Sequence, residues 1–478
     1  MTTTHRAIRR RLTLLASSSA GAIALMAAAG AATTLAPTKA MADVGCGEQY
    51  GPAPIFCVNF DLSGPAVLDI GAGTPVALST PGLAAVAVIA SPYNPDAAKV
   101  ILSDGSSIVS SAGIVAFNAG LGDASVQIGS DVSMDQTFIG VFAHSWRRSE
   151  ISTGSNFTLE LSPTDFSFNN IGLFAESWAG SDADAPSAEV TVGENSSITS
   201  GGFWIQDSYL VSAQAPNGTA STKISVGDGA DFTINGEYVA GVYSRTNAGD
   251  IDISVGSGTI TVLSGAYAEW WPPHPLDASA GIYAQSSGGN ITISSAADIT
   301  VSSDYTLEAA IWAATDGLGN LTITSDGNLS AGWNGIEGMV ADGDLTITSN
   351  GDIDSGLAIN GYASGTGSVT IFSGGEVHGS VAGVAQTGAV SIHTTGDILQ
   401  NGMAVYGQGF GKVTVVADGN LGSADERVYQ GVEANSGTWF NPVSDDVNVT
   451  VNGDVYAASP LFDAAISANV MGDAGSAT

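Results

Sequence analysis

Five aromatic side chains recur at one position of a short repeated pattern. The pattern reads small, aliphatic, variable, small, and its variable position holds Phe142, Phe174, Tyr243, Tyr283 and Trp312. In a strand, the residues on either side of the ring would point inward and the ring outward. Planar rings on a polar surface are suited to packing against sugars. The pattern therefore predicts an exposed column that binds carbohydrate, with ring stacking that stabilises the protein without a ligand as the alternative.

Two further aromatic candidates lie in the longest insertion, residues 263–279. This segment contains Trp270 and Trp271, followed by Pro272, Pro273, His274 and Pro275. Proline stiffens a loop, and two tryptophans are costly to leave in water. The loop is therefore expected either to contact a ligand or to fold back onto the protein, and protruding loops of rigid scaffolds often carry recognition.

Acid–base chemistry has weaker support in this sequence. The histidines beyond residue 42 are scattered over different repeats, at His144, His274, His378 and His393. Of the motifs typical of polygalacturonases only Asp445-Asp446 is present, and the nearest candidates for a lyase base are Lys223 and Arg245, which we interpret as solvated surface charges. We predict no catalytic residue, no metal site and no cofactor. A polysaccharide lyase or hydrolase is the alternative.

A repeat must position all of these residues. The segment GNLTITSDGNL at 319–329 places apolar residues at Leu321, Ile323 and Leu329, and this spacing recurs along nearly the whole chain. Successive copies lie about 20 to 25 residues apart, with insertions, and a unit of that size cannot bury its apolar face alone. The units must therefore stack on one another as a solenoid.

The units consist of strands. Apolar residues alternate with Thr or Ser, a period of two, and Gly-Asn or Gly-Asp corners separate three short strands per unit. Such units predict an all-β parallel β-helix of about fourteen rungs with inserted loops over residues 66–478, preceded by a cap at 43–65. Because residues 475–478 stop where a strand should begin, we expect the array to be truncated mid-rung.

The first 42 residues predict a secretion signal. Arg9-Arg10-Arg11 precedes a stretch rich in Ala and Leu that ends in Ala40-Met41-Ala42, which places cleavage before Asp43. The alternative, a transmembrane anchor, is less consistent with the serines, threonines and glycines that interrupt the apolar stretch. In an oxidising compartment, Cys46 and Cys57 are expected to form a disulfide in the cap.

The charge of the exported chain limits its partners. Beyond residue 42 there are seven Lys and Arg against 46 Asp and Glu, a net charge of about −39. Electrostatic repulsion makes nucleic acids and anionic membranes poor partners for such a chain.

The signal, the close cysteine pair and the array of GxxTITSxGxI units together resemble the passenger region of a Gram-negative autotransporter. The resemblance covers the whole chain after the signal. It implies a right-handed β-helix at the cell surface, often an adhesin, exported by a C-terminal outer-membrane β-barrel. The present sequence departs from that family because it contains no segment of alternating strands typical of the barrel. The translocator is therefore expected downstream or on a separate chain.

Overall fold

The computed structural model describes residues 47–49, 55–59, 65–71, 75–77, 84–90, 96–162, 170–178, 187–201, 208–236, 238–264, 279–303, 308–400, 402–437, 445–458, 465–471 and 476–478. The predicted signal at 1–42, Cys46 of the predicted disulfide, and Trp270 and Trp271 lie outside these residues, whereas Cys57 lies in the strand at 55–59. The regular elements of the described residues are forty β-strands, numbered here in chain order.

The strands form three parallel sheets, which we call faces 1, 2 and 3. Face 1 contains fifteen strands: β1 (Gly47–Gln49), β3 (Ala66–Ile70), β6 (Ala98–Leu102), β8 (Ala124–Ile128), β10 (Ser149–Thr153), β13 (Ala188–Val192), β16 (Thr222–Val226), β19 (Ile251–Val255), β22 (Ile291–Ser295), β25 (Leu321–Ser325), β28 (Leu345–Ser349), β31 (Val369–Ser373), β34 (Val390–Thr394), β37 (Val413–Ala417) and β39 (Val447–Val451).

Within a rung, face 2 follows face 1 along the chain. It contains β4 (Pro75–Ala77), β11 (Thr158–Leu161), β14 (Ser197–Ser200), β17 (Ala230–Asn235), β20 (Gly258–Ser264), β23 (Asp298–Ser303), β26 (Leu329–Ala331), β29 (Ile353–Asp354), β32 (Val377–His378) and β35 (Ile398–Leu399). Two long strands, β7 (Ser107–Asn118) and β9 (Ser133–Ser145), run through both face 2 and face 3.

Face 3 carries the small-aliphatic-variable-small pattern. Its other strands are β2 (Ile55–Asn59), β5 (Ala84–Ala90), β12 (Ile171–Ser177), β15 (Tyr209–Ala215), β18 (Ala240–Thr246), β21 (Ser279–Ser286), β24 (Glu308–Thr315), β27 (Asn334–Val340), β30 (Leu357–Ala363), β33 (Val381–Ala385), β36 (Met403–Gly409), β38 (Gln430–Ser436) and β40 (Ile466–Val470).

This arrangement confirms the predicted all-β parallel β-helix. Each strand pairs with the equivalent strand of the next turn, and the fifteen strands of face 1 agree with the expected number of rungs. At about 4.8 Å per rung the stack is roughly 65 Å long. Strands β1 and β2 lie within the segment assigned to the cap and pair in register with β3 and β5, so the stack begins before residue 66.

The repeated apolar residues fill the interior of the helix. Leu321, Leu345 and Val369 are register neighbours on face 1, while Leu329 and Ile353 are neighbours on face 2. All five are buried and belong to one core cluster that runs along the stack. The apolar spacing in the sequence therefore identified both the register and the core.

The Gly-Asn corners are fixed by contacts between rungs. A Cβ on Gly319 would lie 2.0 Å from the carbonyl oxygen of Gly289, so no side chain fits there. The next residue, Asn320, donates its backbone N–H to Oδ1 of Asn290 and accepts the N–H of Asp344 on its own Oδ1, at 2.9 Å each. Each corner thus needs glycine for close approach and a short polar side chain to bind the next rung.

Candidate functional site

The five predicted rings lie on face 3 and point away from the interior. Phe142 and Phe174 are register partners, and Tyr243, Tyr283 and Trp312 occupy three consecutive rungs at the equivalent position. The residues beside each ring are buried, and all of them except Ser244 belong to the hydrophobic core cluster, as the alternation of the strand requires. The predicted direction of the rings is therefore observed, and we call these five residues the aromatic row.

The predicted exposure of the aromatic row is wrong. The exposed fractions are 6% for Phe142, 8% for Phe174, 2% for Tyr243, 0% for Tyr283 and 6% for Trp312. The physical reason is that the spacing between rungs is also a good stacking distance for aromatic rings. Tyr243, Tyr283 and Trp312 therefore cover the faces of one another. Phe142 and Phe174 pack together with their planes tilted by 41°, and no ring of the row is left exposed to a sugar.

The stack is continuous over four rungs because Tyr209 joins it. The ring centroids lie 4.3 Å apart for Tyr209 and Tyr243, 5.3 Å for Tyr243 and Tyr283, and 4.3 Å for Tyr283 and Trp312, with interplanar angles of 21° or less. The small-aliphatic-variable-small pattern did not indicate Tyr209, since it pairs in register with Ala240 and not with a ring. The aromatic row is therefore a packing element first.

A second row of side chains runs beside the rings, two residues further along each strand. This polar row occupies five consecutive rungs of face 3 and consists of His144, Glu176, Gln214, Arg245 and Gln285. All are buried except Arg245, which is half-buried. Sequence reasoning did not identify this row, because its members differ in type from rung to rung.

His144 and Glu176 form a hydrogen-bonded pair at one end of the polar row. The Nδ1–H of His144 donates to Oε2 of Glu176 at 2.9 Å, and the imidazole stacks on Phe117 with 4.9 Å between ring centroids. The indole of Trp178 packs edge-on against the imidazole, with 5.5 Å between ring centroids, and against the indole of Trp146, with 5.2 Å between centroids. Trp146 is 46% exposed, so an indole reaches the surface beside this pair.

Arg245 lies next to the tyrosine stack. The neighbouring Tyr243, with smaller contributions from Tyr283 and Tyr209, raises the pKa of the Arg245 guanidinium, although burial opposes this shift. The interpretation of Arg245 as a solvated charge is therefore wrong, because it is half-buried beside Tyr243 of its own rung and near tyrosines of the rungs on either side. Lys223 does lie at the surface, 3.8 Å from Glu189.

The connections from face 2 to face 3 leave the stack at one corner, next to the aromatic row. On five neighbouring rungs they comprise residues 162–170, 201–208, 236–239, 265–278 and 304–307. On the next four rungs they have two or three residues, as at 332–333 and 355–356, and they lengthen again at 422–429, after the face 2 bridge at Leu421. The insertion that contains Trp270 and Trp271 therefore leaves and re-enters the β-helix beside the stack of tyrosine rings.

The candidate catalytic groups are separated from one another. His378 contacts Glu376 at 2.9 Å, whereas His393 contacts Asp418 at 2.8 Å on a different face. Asp446 accepts hydrogen bonds from the Ser476 side chain and backbone, and these lower the pKa of its carboxyl group. Within the described part of the chain, no cluster of three or more His, Cys, Asp or Glu could hold a metal ion.

Two further findings concern membrane-spanning helices and similarity to known proteins. A search for a long apolar helix that could cross a membrane found none among the residues with described structure. No family model, no curated protein and no solved structure matches the sequence.

Proposed function

We propose that this protein is an exported, non-enzymatic β-helical passenger that is displayed at the cell surface or released from it. It acts as an adhesin-like rod that recognises carbohydrate or cell surfaces. Its export uses an outer-membrane β-barrel translocator, downstream or on a separate chain. The sequence features that support export are the predicted secretion signal and the strongly acidic, lysine-poor composition, which limits aggregation of an unfolded chain in transit.

The observation that carries the proposal is the common corner of the long insertions. In solenoid proteins the scaffold repeats while insertions on one side form the binding surface. Here five consecutive rungs carry connections of 4 to 14 residues between face 2 and face 3, including 265–278, whereas the next four rungs, from β26 to β36, have only two or three residues there. The rungs from β11 to β24 therefore combine a rigid base with variable segments.

The burial of the aromatic row supports separate roles for a rigid base and for insertions that bind. Its rings are enclosed within the stack, so they stiffen the rungs beneath the insertions and do not themselves contact a sugar. Recognition is therefore assigned to the insertions, including Trp270 and Trp271, and to groups that reach the surface, such as Trp146.

The experiment that tests the proposal replaces one insertion by a connection that the protein already uses. Asn235 and Leu263 are register partners, as are Ala240 and Ala280, so residues 236–239 and 264–279 join equivalent positions on adjacent rungs. Replacing 264–279 with the sequence of 236–239 should keep the stack intact. Attachment of the exported protein to glycan-coated or cell surfaces should fall about tenfold or more, since multivalent surfaces amplify each lost contact.

The matched control shortens the segment 438–444 between β38 and β39, which lies at a different corner. This variant should attach like the unmodified protein. Far-UV circular dichroism should show the same strand content for all three proteins. Unchanged attachment after replacement of 264–279, or no attachment of the unmodified protein to any surface, would refute the assignment.

A further inference from the structure

Arg245 differs from the other basic residues whose surroundings are described on neighbouring rungs. Arg148 lies 2.8 Å from Glu189, and Lys223 lies 3.8 Å from the same carboxylate. Arg245 forms no ion pair with a carboxylate of the described residues, in a chain with 46 Asp and Glu. The carboxylates of the described rungs therefore lie away from this half-buried guanidinium.

The groups of the described residues that flank Arg245 are neutral hydrogen-bonding side chains. Gln214 precedes it and Gln285 follows it at the same register position, about one rung away on either side. Tyr243 and Tyr283 lie on its other flank and interact with its charge. This neutral set orients the guanidinium without neutralising it, and the same kinds of group bind sugar hydroxyls in water-exposed sites.

A half-buried guanidinium is energetically costly when no carboxylate lies beside it, and none of the described residues supplies one to Arg245. Removing a charge from water carries a penalty that an opposite charge normally offsets. Arginine presents its N–H donors as a planar fork, which matches two oxygens of a carboxylate or sulfate and not a single point charge. An anionic ligand that reaches the guanidinium of Arg245 would therefore gain a charge-assisted, bidentate contact.

We propose that Arg245, flanked by Gln214 and Gln285, is the binding residue for the anionic group of an acidic sugar, either a carboxylate or a sulfate ester. This inference rests on the proposed function and narrows its ligand class from carbohydrate in general to acidic saccharides. The net negative charge of the chain opposes non-specific binding of polyanions. Affinity for an acidic sugar must therefore come from local contacts with the N–H donors of the Arg245 guanidinium.

The test measures binding of three small sugars to the exported chain by titration calorimetry or ligand-observed NMR. The probes are glucuronate, glucose 6-sulfate and uncharged glucose, so the two sources of the anion are compared with a neutral sugar of the same ring. We expect one acidic probe to bind the unmodified protein and glucose to bind at least tenfold more weakly, as expected for loss of a charged hydrogen bond.

Three variants distinguish the effect of the positive charge at residue 245 from that of its bidentate geometry and from a general effect on folding. Arg245→Gln should weaken the acidic probe about tenfold or more, and Arg245→Lys should weaken it several-fold because it keeps the charge but loses the bidentate geometry. Lys223→Gln, a control with the same change in net charge on face 1, should bind like the unmodified protein. If Arg245→Gln does not fold, Arg245→Lys decides, and unchanged affinity in that variant overturns the proposal.

Failure of this inference differs from failure of the proposed function. Equal binding of acidic and neutral sugars, or equal binding by Arg245→Gln and the unmodified protein, overturns the role of Arg245 while surface attachment persists. If the unmodified protein attaches to no glycan-coated or cell surface, the adhesin-like function itself is rejected.

Discussion

The phenol ring of Tyr283 lies parallel to the indole of Trp312, with 4.3 Å between ring centroids and an angle of 14° between their planes. The opposite side of the phenol faces Tyr243, and Tyr283 is 0% exposed. A ring on the outer side of a sheet is thus packed as tightly as a core residue. Its contribution to the free energy of unfolding should be correspondingly large.

Replacing Tyr283 with Ala should destabilise the rungs around β21. The variant loses two ring contacts and leaves a cavity, and comparable truncations of buried aromatic residues cost about 3–5 kcal/mol. The midpoint of thermal or denaturant unfolding, followed by circular dichroism, should fall clearly. Tyr283→Phe, which keeps the ring, serves as the control and should change the midpoint much less. An unchanged midpoint in Tyr283→Ala would show that the stack does not stabilise the fold.

Much of the fold followed from the sequence because backbone pairing imposes a strict geometry. The spacing of Leu321, Ile323 and Leu329 indicated the strand period and the interior positions, and the glycine before each polar corner residue marked the turns. In a stacked array each rung repeats the constraints of its neighbour, so one correctly interpreted unit extends to the others.

The candidate site was less predictable because it depends on what neighbouring rungs place side by side. Alternation along β21 indicated the direction of Tyr283 but not its burial, which requires Tyr243 and Trp312 on the rungs on either side. The surroundings of Arg245 likewise come from three different rungs. Such neighbours are far apart in sequence, as His144 and Glu176 at 32 residues illustrate.

A Cβ at the corner glycine of β25 should disrupt the stack. In Gly319→Ala the new methyl group would lie 2.0 Å from the carbonyl oxygen of Gly289, and backbone atoms on both rungs would have to move apart. We expect a loss of about 2 kcal/mol or more in the free energy of unfolding. Gly201→Ala is the control because no atom of the described residues lies within 4 Å of the place its methyl group would take. Comparable midpoints for the two variants would contradict the close-approach argument.

The two cysteines remain a prediction from the sequence. We expect Cys46 and Cys57 to be bonded in the exported protein and unreactive in a free-thiol assay under native conditions. Because stability in a stacked array is largely nearest-neighbour, reduction should loosen only the first rungs and leave hydrogen-exchange protection of β31 and later strands unchanged. Two reactive thiols in the native exported protein would exclude the bond.

Glu337 should make the stability of the stack depend on pH. It follows Trp312 at the same register position, so its carboxyl group adjoins the end of the aromatic row. Burial raises the pKa of this carboxyl group above its ordinary value of 4.5, although a hydrogen bond donated by Asn334 at 2.9 Å partly opposes the shift. The folded protein therefore binds the proton more tightly than the unfolded chain.

The sign of the effect follows from that difference in proton affinity. The stabilising contribution of Glu337 is fully present below the unfolded pKa and is lost as the pH rises through the higher folded pKa. Replacing Glu337 with Gln keeps the shape and the neutral state, so the variant should unfold at a higher temperature than the unmodified protein at pH 7 and at a similar one at pH 3. Glu376→Gln, at an exposed corner, should show no gain at pH 7. Equal unfolding midpoints of Glu337→Gln and the unmodified protein at pH 7 would mean that the carboxylate is solvated there, and the aromatic row would then end in water.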